Sequence, residues 1–244
     1  MKTELLYQTD SYLREFNAIV SDLNKQNHGV VLDRTAFYVG GGGQPADHGV
    51  LISPSGTHQV SGIKRVKGEY IHIIADDSSV PDVGIEIQGQ IDWEHRYKLM
   101  RTHTAMHILC GVIFRDYGAS VTGGDMEPLK GRMDFEFETM QRELVQDIEK
   151  AINAEVAAAR ELIVNILPRE EAFKIPDLIR TKINLLPEHI KEVRIVEIKG
   201  LDLQADGGTH VKNTSEVGKI TITDYKSKGK INKRLYISLK NHDK

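Results

Sequence analysis

EHRYKLMRTHTAMHILCGVIFRDYG, residues 94–118, is where the chain changes character. Leu99, Met100, Met106, Leu109, Ile113 and Tyr117 recur at helical spacing, and Gly118 follows as a residue suited to a helix C-terminus, so the stretch reads as one long helix. Upstream, residues 18–20, 30–32, 36–39 and 50–52 are short β-branched or aromatic runs punctuated by Asn, Gly, Asp and Pro, the signature of strands and turns. Residues 59–74 read as two extended arms around Lys67-Gly68, a hairpin, and Ile85, Ile87, Gly89, Ile91 and Trp93 alternate at strand period.

Downstream, Leu144, Ile148, Ile152, Val156 and Ala159 predict a second helix over about 140–163 with a charged opposite face. Residues 132–137, 163–167, 193–198, 219–223 and 234–239 read as strands. The pattern places a boundary around 90–95, and the second part reads as helices packed on a mostly antiparallel sheet. No internal repeat or low-complexity linker interrupts it.

A chain of 244 residues with 40% hydrophobic and 27% charged residues has the composition of a globular protein that can bury a core. The single cysteine, Cys110, cannot form an internal disulfide, and the N-terminus lacks the pattern of a secretion signal, so the expected compartment is the cytoplasm. Charges break every apolar run before the ~18 residues needed to span a bilayer, which disfavours a membrane role. Net charge is −3, yet residues 219–244 carry eight basic against two acidic residues, a local charge of +6 that permits a polyanion at that end. A solvated lysine-rich hairpin is the bland alternative.

His103 and His107 lie one turn apart on one helical face, the spacing by which two imidazoles chelate one ion. A metalloprotease of the H-E-x-x-H type is excluded, because Thr104 stands where that motif has its Glu. A second cluster, Asp202-Leu-Gln-Ala-Asp206-Gly-Gly-Thr-His210, has a two-glycine turn that lets Asp206 and His210 converge, adding a carboxylate and an imidazole to the helical pair. Cys110 shares the face of the His pair but lies roughly 10 Å along the axis from His103, so it reads as a core thiol. Four glycines, 40–43, precede Gln44-Pro45-Ala46-Asp47, and read as a shaped loop that presses its backbone against something else. Neither G-x-x-x-x-G-K-[ST] nor G-x-G-x-x-G before a helix is present, so no ATP site is expected.

Gly41-Gly-Gly-Gln44-Pro-Ala-Asp47, His103-Thr-Ala-Met-His107-Ile-Leu and Gly207-Gly-Thr-His210-Val, in this order, resemble the free-standing alanyl-tRNA editing proteins of the medium-length AlaX type, over nearly the whole chain. The resemblance implies an α+β fold, a small barrel-like β domain in residues 1–92 followed by a metal-dependent editing domain in 93–244. It also implies a zinc-dependent hydrolase, with one Zn2+ per chain, that deacylates tRNA(Ala) mischarged with serine or glycine. On it, His103, His107 and His210 match the zinc histidines, and Asp206 stands where the family usually has Cys, so a carboxylate ligates there or the position is left to water. Thr122 falls where the family has a threonine that meets the misplaced serine hydroxyl. Gly41, Gly42, Gly43 and Gln44 are candidate substrate contacts, and Lys64, Arg65, Lys67, Lys228, Lys230, Lys233 and Arg234 candidate phosphate contacts. The alternatives are a noncatalytic tRNA- or partner-binding module with a residual metal site, and an editing domain for mischarged threonine tRNA.

Overall fold

The computed structural model describes residues 3–75, 79–181, 186 and 190–241. The chain forms two compact units, one of Met1–Gly41 with Pro45–Tyr97 and one of Gly42–Gln44 with Lys98–Lys244. The class is α+β, strands predominating.

In the first unit, β1 (Glu4–Leu5), β2 (Glu15–Asn24), β3 (Gly29–Leu32), β4 (Arg34–Thr35), β5 (Gly49–Ser53), β6 (Gly56–Val66), β7 (Glu69–Ile74) and β8 (Glu86–Ile91) follow one another. Six of them close a barrel in the order β2-β3-β7-β6-β5-β8, leaving no free edge among them. The alternation visible in the sequence puts Phe16, Ala18 and Val20 of β2 and Ile87 and Ile91 of β8 into the barrel interior with Val30, Leu32, Phe37 and Leu51. The expected hairpin is present, Val66 pairing Glu69 across Lys67 and Gly68, both at positive φ as a two-residue turn of the primed type requires.

The expected strand over 36–39 does not form. Ala36, Phe37 and Tyr38 are all buried rather than alternating, and the segment takes its hydrogen bonds from a side chain instead of a ladder. Tyr38 N donates to Asp47 Oδ2 at 2.6 Å, and Asp47 N returns a bond to Tyr38 O at 3.0 Å, closing the base of the glycine-rich loop. Asp47 is ion-paired with fully buried Arg96, which also donates to the carbonyls of Ser11 and Ala36 at 2.9 and 2.7 Å.

The long helix expected from residue 94 is α1 (Trp93–Tyr117), capped by the Asp92 carboxylate accepting from His95 N at 3.1 Å. It is buried on every side from Leu99 to Ile113, more deeply than a one-faced pattern implies. Strands β9 (Val121–Glu127) and β10 (Lys130–Glu136) follow, then α2 (Arg142–Ala157), β11 (Leu162–Pro168), α3 (Arg169–Ala172), β12 (Glu192–Ile198), β13 (Asp202–Ala205), β14 (Ile220–Ser227) and β15 (Asn232–Leu239). Two antiparallel sheets result, β14-β15-β10-β9 and β11-β12-β13. In the first, Asp134 faces Arg234 directly, and the two join through bonds of 2.6 and 2.7 Å. Helix α2 is tied to β14 by Asn153, which donates to Ile220 O and accepts from Ile220 N at 2.8 and 3.0 Å.

Helix α2 is shorter than the 140–163 expected. The alanines at 157–159 prolong the helical pattern on paper, but Ala159 turns to φ 50° and Asn213 Nδ2 donates to its carbonyl at 2.7 Å, which ends the helix and releases β11. Its buried face runs through Val145, Ile148, Ile152 and Glu155 rather than Leu144 and Val156. Strands β9 and β13 were not expected, since polar and glycine residues dominate β9 and β13 is only four residues long. Among the described residues, no helix is long and apolar enough to cross a membrane.

Candidate metal centre

His103 and His107 project from the buried middle of α1, one turn apart, and their rings meet at 5.1 Å between centroids. The tight turn after β13 brings Asp206 and His210 to the same point. Asp206 Oδ1 accepts from Gly208 N at 2.7 Å, an Asx turn, and Asp206 O accepts from Arg194 Nη1 at 2.9 Å, so the carboxylate is held from behind. Oδ1 lies 3.0 Å from His210 Nε2, and Oδ2 lies 3.4 Å from His103 Nε2 and 3.7 Å from His107 Nε2. One ligand atom from each of His103, His107, Asp206 and His210 falls within a sphere of contacts no longer than 4.8 Å.

The opposite nitrogen of each ring also faces a polar atom. His103 Nδ1 stands 2.9 Å from Gln44 Oε1, and His210 Nδ1 stands 3.3 Å from Thr104 Oγ1. His107 Nδ1 is 3.3 Å from Asp202 Oδ2, close enough for charge although out of hydrogen-bond alignment. Outer partners on Nδ1 and converging Nε2 atoms are the arrangement that metal-binding histidines require. A tetrahedral zinc ion with bonds of ~2 Å requires ligand atoms about 3.3 Å apart, and three imidazoles with one carboxylate form an acceptable donor set, so the residues fit such an ion.

Burial lowers the pKa of His107, but the carboxylates of Asp202 and Asp206 override it and push the group up to about 9. Burial would raise Asp206, yet the charge of His103 and the bonds from the three rings hold it well below the usual carboxylate range. His210 is pushed well below the ordinary imidazole value, by burial first and then by the charge of His103. Burial raises the Cys110 thiol far above its ordinary range, and Gln204 Nε2 donates to its sulfur at 3.3 Å, in keeping with a core thiol outside the ligand set.

His103, His107 and Asp206 of the cluster line a cavity of about 730 Å3 within the second unit, where Gly42, Gly43, Thr122 and Cys110 also line the surface. Gly43 O accepts from Met126 N at 3.1 Å, and a Cβ on Gly43 would come within 3.1 Å of Gly124 O, so the glycine segment packs backbone to backbone on β9. Gly41 belongs to the first unit, where its carbonyl accepts from the Tyr38 hydroxyl. Thr122 Oγ1 donates to Asn232 Oδ1 at 3.0 Å on the rim of the cavity.

The basic candidates are spread out. Lys64 Nζ donates to Asn27 Oδ1, and the Arg65 guanidinium lies 5.7 Å from the Tyr70 ring centroid. Lys228 and Lys230 are exposed near the β14–β15 turn, whereas Lys233 is buried with its ammonium on the carbonyls of Gly229 and Lys230, and Arg234 is engaged by Asp134. Sequence reasoning missed Asp202 and Thr104. The signal for Asp202 was the period-two row of Asp202, Gln204 and Asp206 along β13 and its end, in which Gln204 Nε2 donates to Asp202 Oδ2 at 2.6 Å.

The chain is similar to known proteins over nearly its full length. Residues 193–236 match the family described as the threonyl and alanyl tRNA synthetase second additional domain, and residues 4–95 match class II (A) tRNA synthetases. The alanyl-tRNA editing protein AlaX-M of Saccharolobus solfataricus is 41% identical, covering 98% of this chain and 99% of its own length. The AlaX-M protein of Methanosarcina acetivorans is 38% identical over 97% of this chain and 99% of its own. The alanine–tRNA ligase of Ignicoccus hospitalis is 37% identical over 90% of this chain, which corresponds to 24% of that longer protein.

Proposed function

The chain belongs to the AlaX-M family of alanyl-tRNA editing proteins, and from that membership and the buried histidine cluster we propose a zinc-dependent hydrolase that frees tRNA(Ala) of a wrongly attached amino acid, chiefly serine and also glycine. The observation that carries the reading is the convergence of His103, His107, His210 and Asp206, three of which, His103, His107 and Asp206, open onto a cavity large enough for an aminoacylated ribose. When bound there, zinc supplies a Lewis acid for an oxygen or nitrogen of the aminoacyl group.

The residues divide the rest of the work. His103, His107 and His210 hold the ion through Nε2, and Asp206 completes the set as the carboxylate ligand. Thr122 directs its hydroxyl hydrogen to Asn232 Oδ1 and keeps lone pairs with which to accept a hydrogen bond from the hydroxyl of a seryl group. A pocket that hydrogen-bonds this hydroxyl discriminates strongly against alanine, which lacks it, because the polar partner is then left unpaired. An aminoacyl ester is already activated, so a held substrate and an oriented water suffice, without a covalent intermediate or ATP. Gly41, Gly42 and Gly43 offer backbone to the substrate end of the tRNA, and Lys64, Arg65, Lys228 and Lys230 meet its phosphates, Lys233 and Arg234 adding charge to the same hairpin.

Seryl-tRNA(Ala), glycyl-tRNA(Ala), alanyl-tRNA(Ala) and a seryl-tRNA for threonine, each incubated with the zinc-loaded protein and with chelated protein, test this directly. Rapid release of serine from tRNA(Ala), lost on chelation and far slower for alanine, is expected. Equal rates on serine and alanine would overturn it, preference for the threonine tRNA would reassign the substrate, and binding without turnover would favour the noncatalytic module.

A further inference from the structure

Gln44 is almost fully buried, and its amide is read by groups that leave no choice of orientation. Thr209 N, a backbone N–H that can only donate, lies 3.1 Å from Oε1, and Nε2 donates to Thr209 Oγ1 at 2.8 Å. The amide oxygen therefore faces both Thr209 N and His103 Nδ1, the latter at 2.9 Å. An amide oxygen only accepts, so Nδ1 of His103 carries the proton, and in the neutral ring the lone pair belongs to Nε2, the atom 3.4 Å from Asp206 Oδ2. The contact is closely packed. Gly208 passes so close that a Cβ there would stand 2.4 Å from His103 Nδ1 and 2.7 Å from Gln44 Oε1.

We infer that Gln44 is a positioning residue of the metal centre, fixing the tautomer and ring direction of His103, and that the glycine segment exists in part to deliver this side chain. The inference rests on the metal-binding part of the proposed function and replaces an RNA contact as the role of Gln44. His107 Nδ1 faces an acceptor-only carboxylate in Asp202 at 3.3 Å but out of hydrogen-bond alignment, whereas Thr104 beside His210 is a hydroxyl that can donate or accept. Gln44 thus holds the one ring of the three whose orientation depends on a residue remote from both histidine motifs.

Two variants and one measurement on the unaltered protein test this. Gln44→Leu keeps bulk but offers no acceptor, and its affinity for zinc, read by a competing chelator, should fall by roughly 10–100-fold, the usual loss when an outer partner of a ligand is removed. Gln44→Glu still accepts from Nδ1, and should stay within a few-fold of the unaltered protein. Cobalt(II) loaded in place of zinc should show altered visible absorption in Gln44→Leu alone. In the unaltered zinc protein, ring 15N shifts should report His103 as protonated at Nδ1 and ligated through Nε2, a readout that no folding defect of a variant can blur. Unchanged zinc affinity in Gln44→Leu with a raised KM for tRNA would overturn the inference and restore the RNA contact, as would ligation through Nδ1. None of the metal readouts uses tRNA. A zinc protein that releases no amino acid would sink the proposed function and leave the inference standing, and a deacylase whose zinc affinity ignores Gln44 would do the reverse.

Discussion

His72 in the barrel and His107 on α1 are both shut away from water, and burial ends in opposite results. Neutral groups satisfy His72, with Thr35 Oγ1 2.9 Å from Nε2 and Val30 O 3.3 Å from Nδ1, and desolvation pulls its pKa down to about 4. His107 feels the same desolvation but lies between Asp202 and Asp206, which carry it up to about 9. The buried carboxylates differ in parallel. Asp47 is closed on by Arg96 and by Tyr38 N, whereas Asp206 faces three imidazoles. Depth therefore does not separate structural histidines from functional ones. The separation lies in direction: the polar groups around His72 and Asp47 close on one another, whereas His103, His107, Asp206 and His210 turn one atom each toward a shared point.

The strongest way to break this contrast is to open the closed pair. Asp47→Ala leaves the Arg96 guanidinium buried without its counter-charge and should destabilise the protein by about 3–5 kcal/mol in urea unfolding. A loss under about 1 kcal/mol would mean that the pair is no lock. Next come the converging groups. His103→Ala, His107→Ala and His210→Ala should each abolish deacylation and weaken zinc binding by more than the roughly 100-fold seen for outer partners, with little change in the urea midpoint of the metal-free protein. Asp206→Ala should do less, because three imidazoles remain, and Asp206→Cys should tighten zinc. Chelator titration of the set decides whether Asp206 is a ligand, since equal affinity in both Asp206 variants would remove it.

The barrel histidine gives a smaller effect that sharpens the contrast through pH. The folded pKa of His72, near 4, lies below the ordinary 6.5, so the unfolded chain takes up the extra proton and stability falls as pH drops from about 6.5 toward 4. Between pH 7 and 5 this single group should remove about 2 kcal/mol, and His72→Gln should flatten that part of the stability profile; an unaltered slope would assign the loss elsewhere. Smallest are the glycines. Gly42, at φ 59° with open space around it, should accept Ala with about 1 kcal/mol of strain. Gly43→Ala, which also presses on Gly124 O, should impair deacylation more than Gly42→Ala, and the reverse order would show that backbone packing on β9 is not what the segment provides.

Periodicity made the barrel strands readable, because there each side chain needs only an inside or an outside, and the helical spacing of its apolar residues made α1 readable although its middle is buried all round. It misled at 36–39, where the backbone is satisfied by Asp47 and Arg96 from elsewhere in the chain, and at 157–159, where alanines have no side-chain preference strong enough to mark the end of α2. The four converging residues could be found from the sequence because they come as two local pairs, His103 with His107 and Asp206 with His210. Asp202 was readable only as the start of the period-two row Asp202, Gln204 and Asp206, a signal weakened because the strand itself spans four residues. The bond from Gln44 to His103 was invisible for another reason: it joins positions 59 residues apart, and no local pattern encodes a partner at that distance.

That separation also dictates an order of events during synthesis. Gln44 leaves the ribosome early, His103 follows 59 residues later, and Thr209, which orients the Gln44 amide, only after 165. Loop closure of this length is slow compared with the forming of a barrel hairpin, so the barrel has time to fold while Gln44 still waits for its partners. A chain broken off anywhere between Tyr117 and Thr209 can own a finished barrel and a finished α1, yet hold neither His210 nor the frame for Gln44. Completion of the centre is thereby tied to the synthesis of His210, and a chain halted between Tyr117 and Thr209 carries His103 and His107 but not the full set of four.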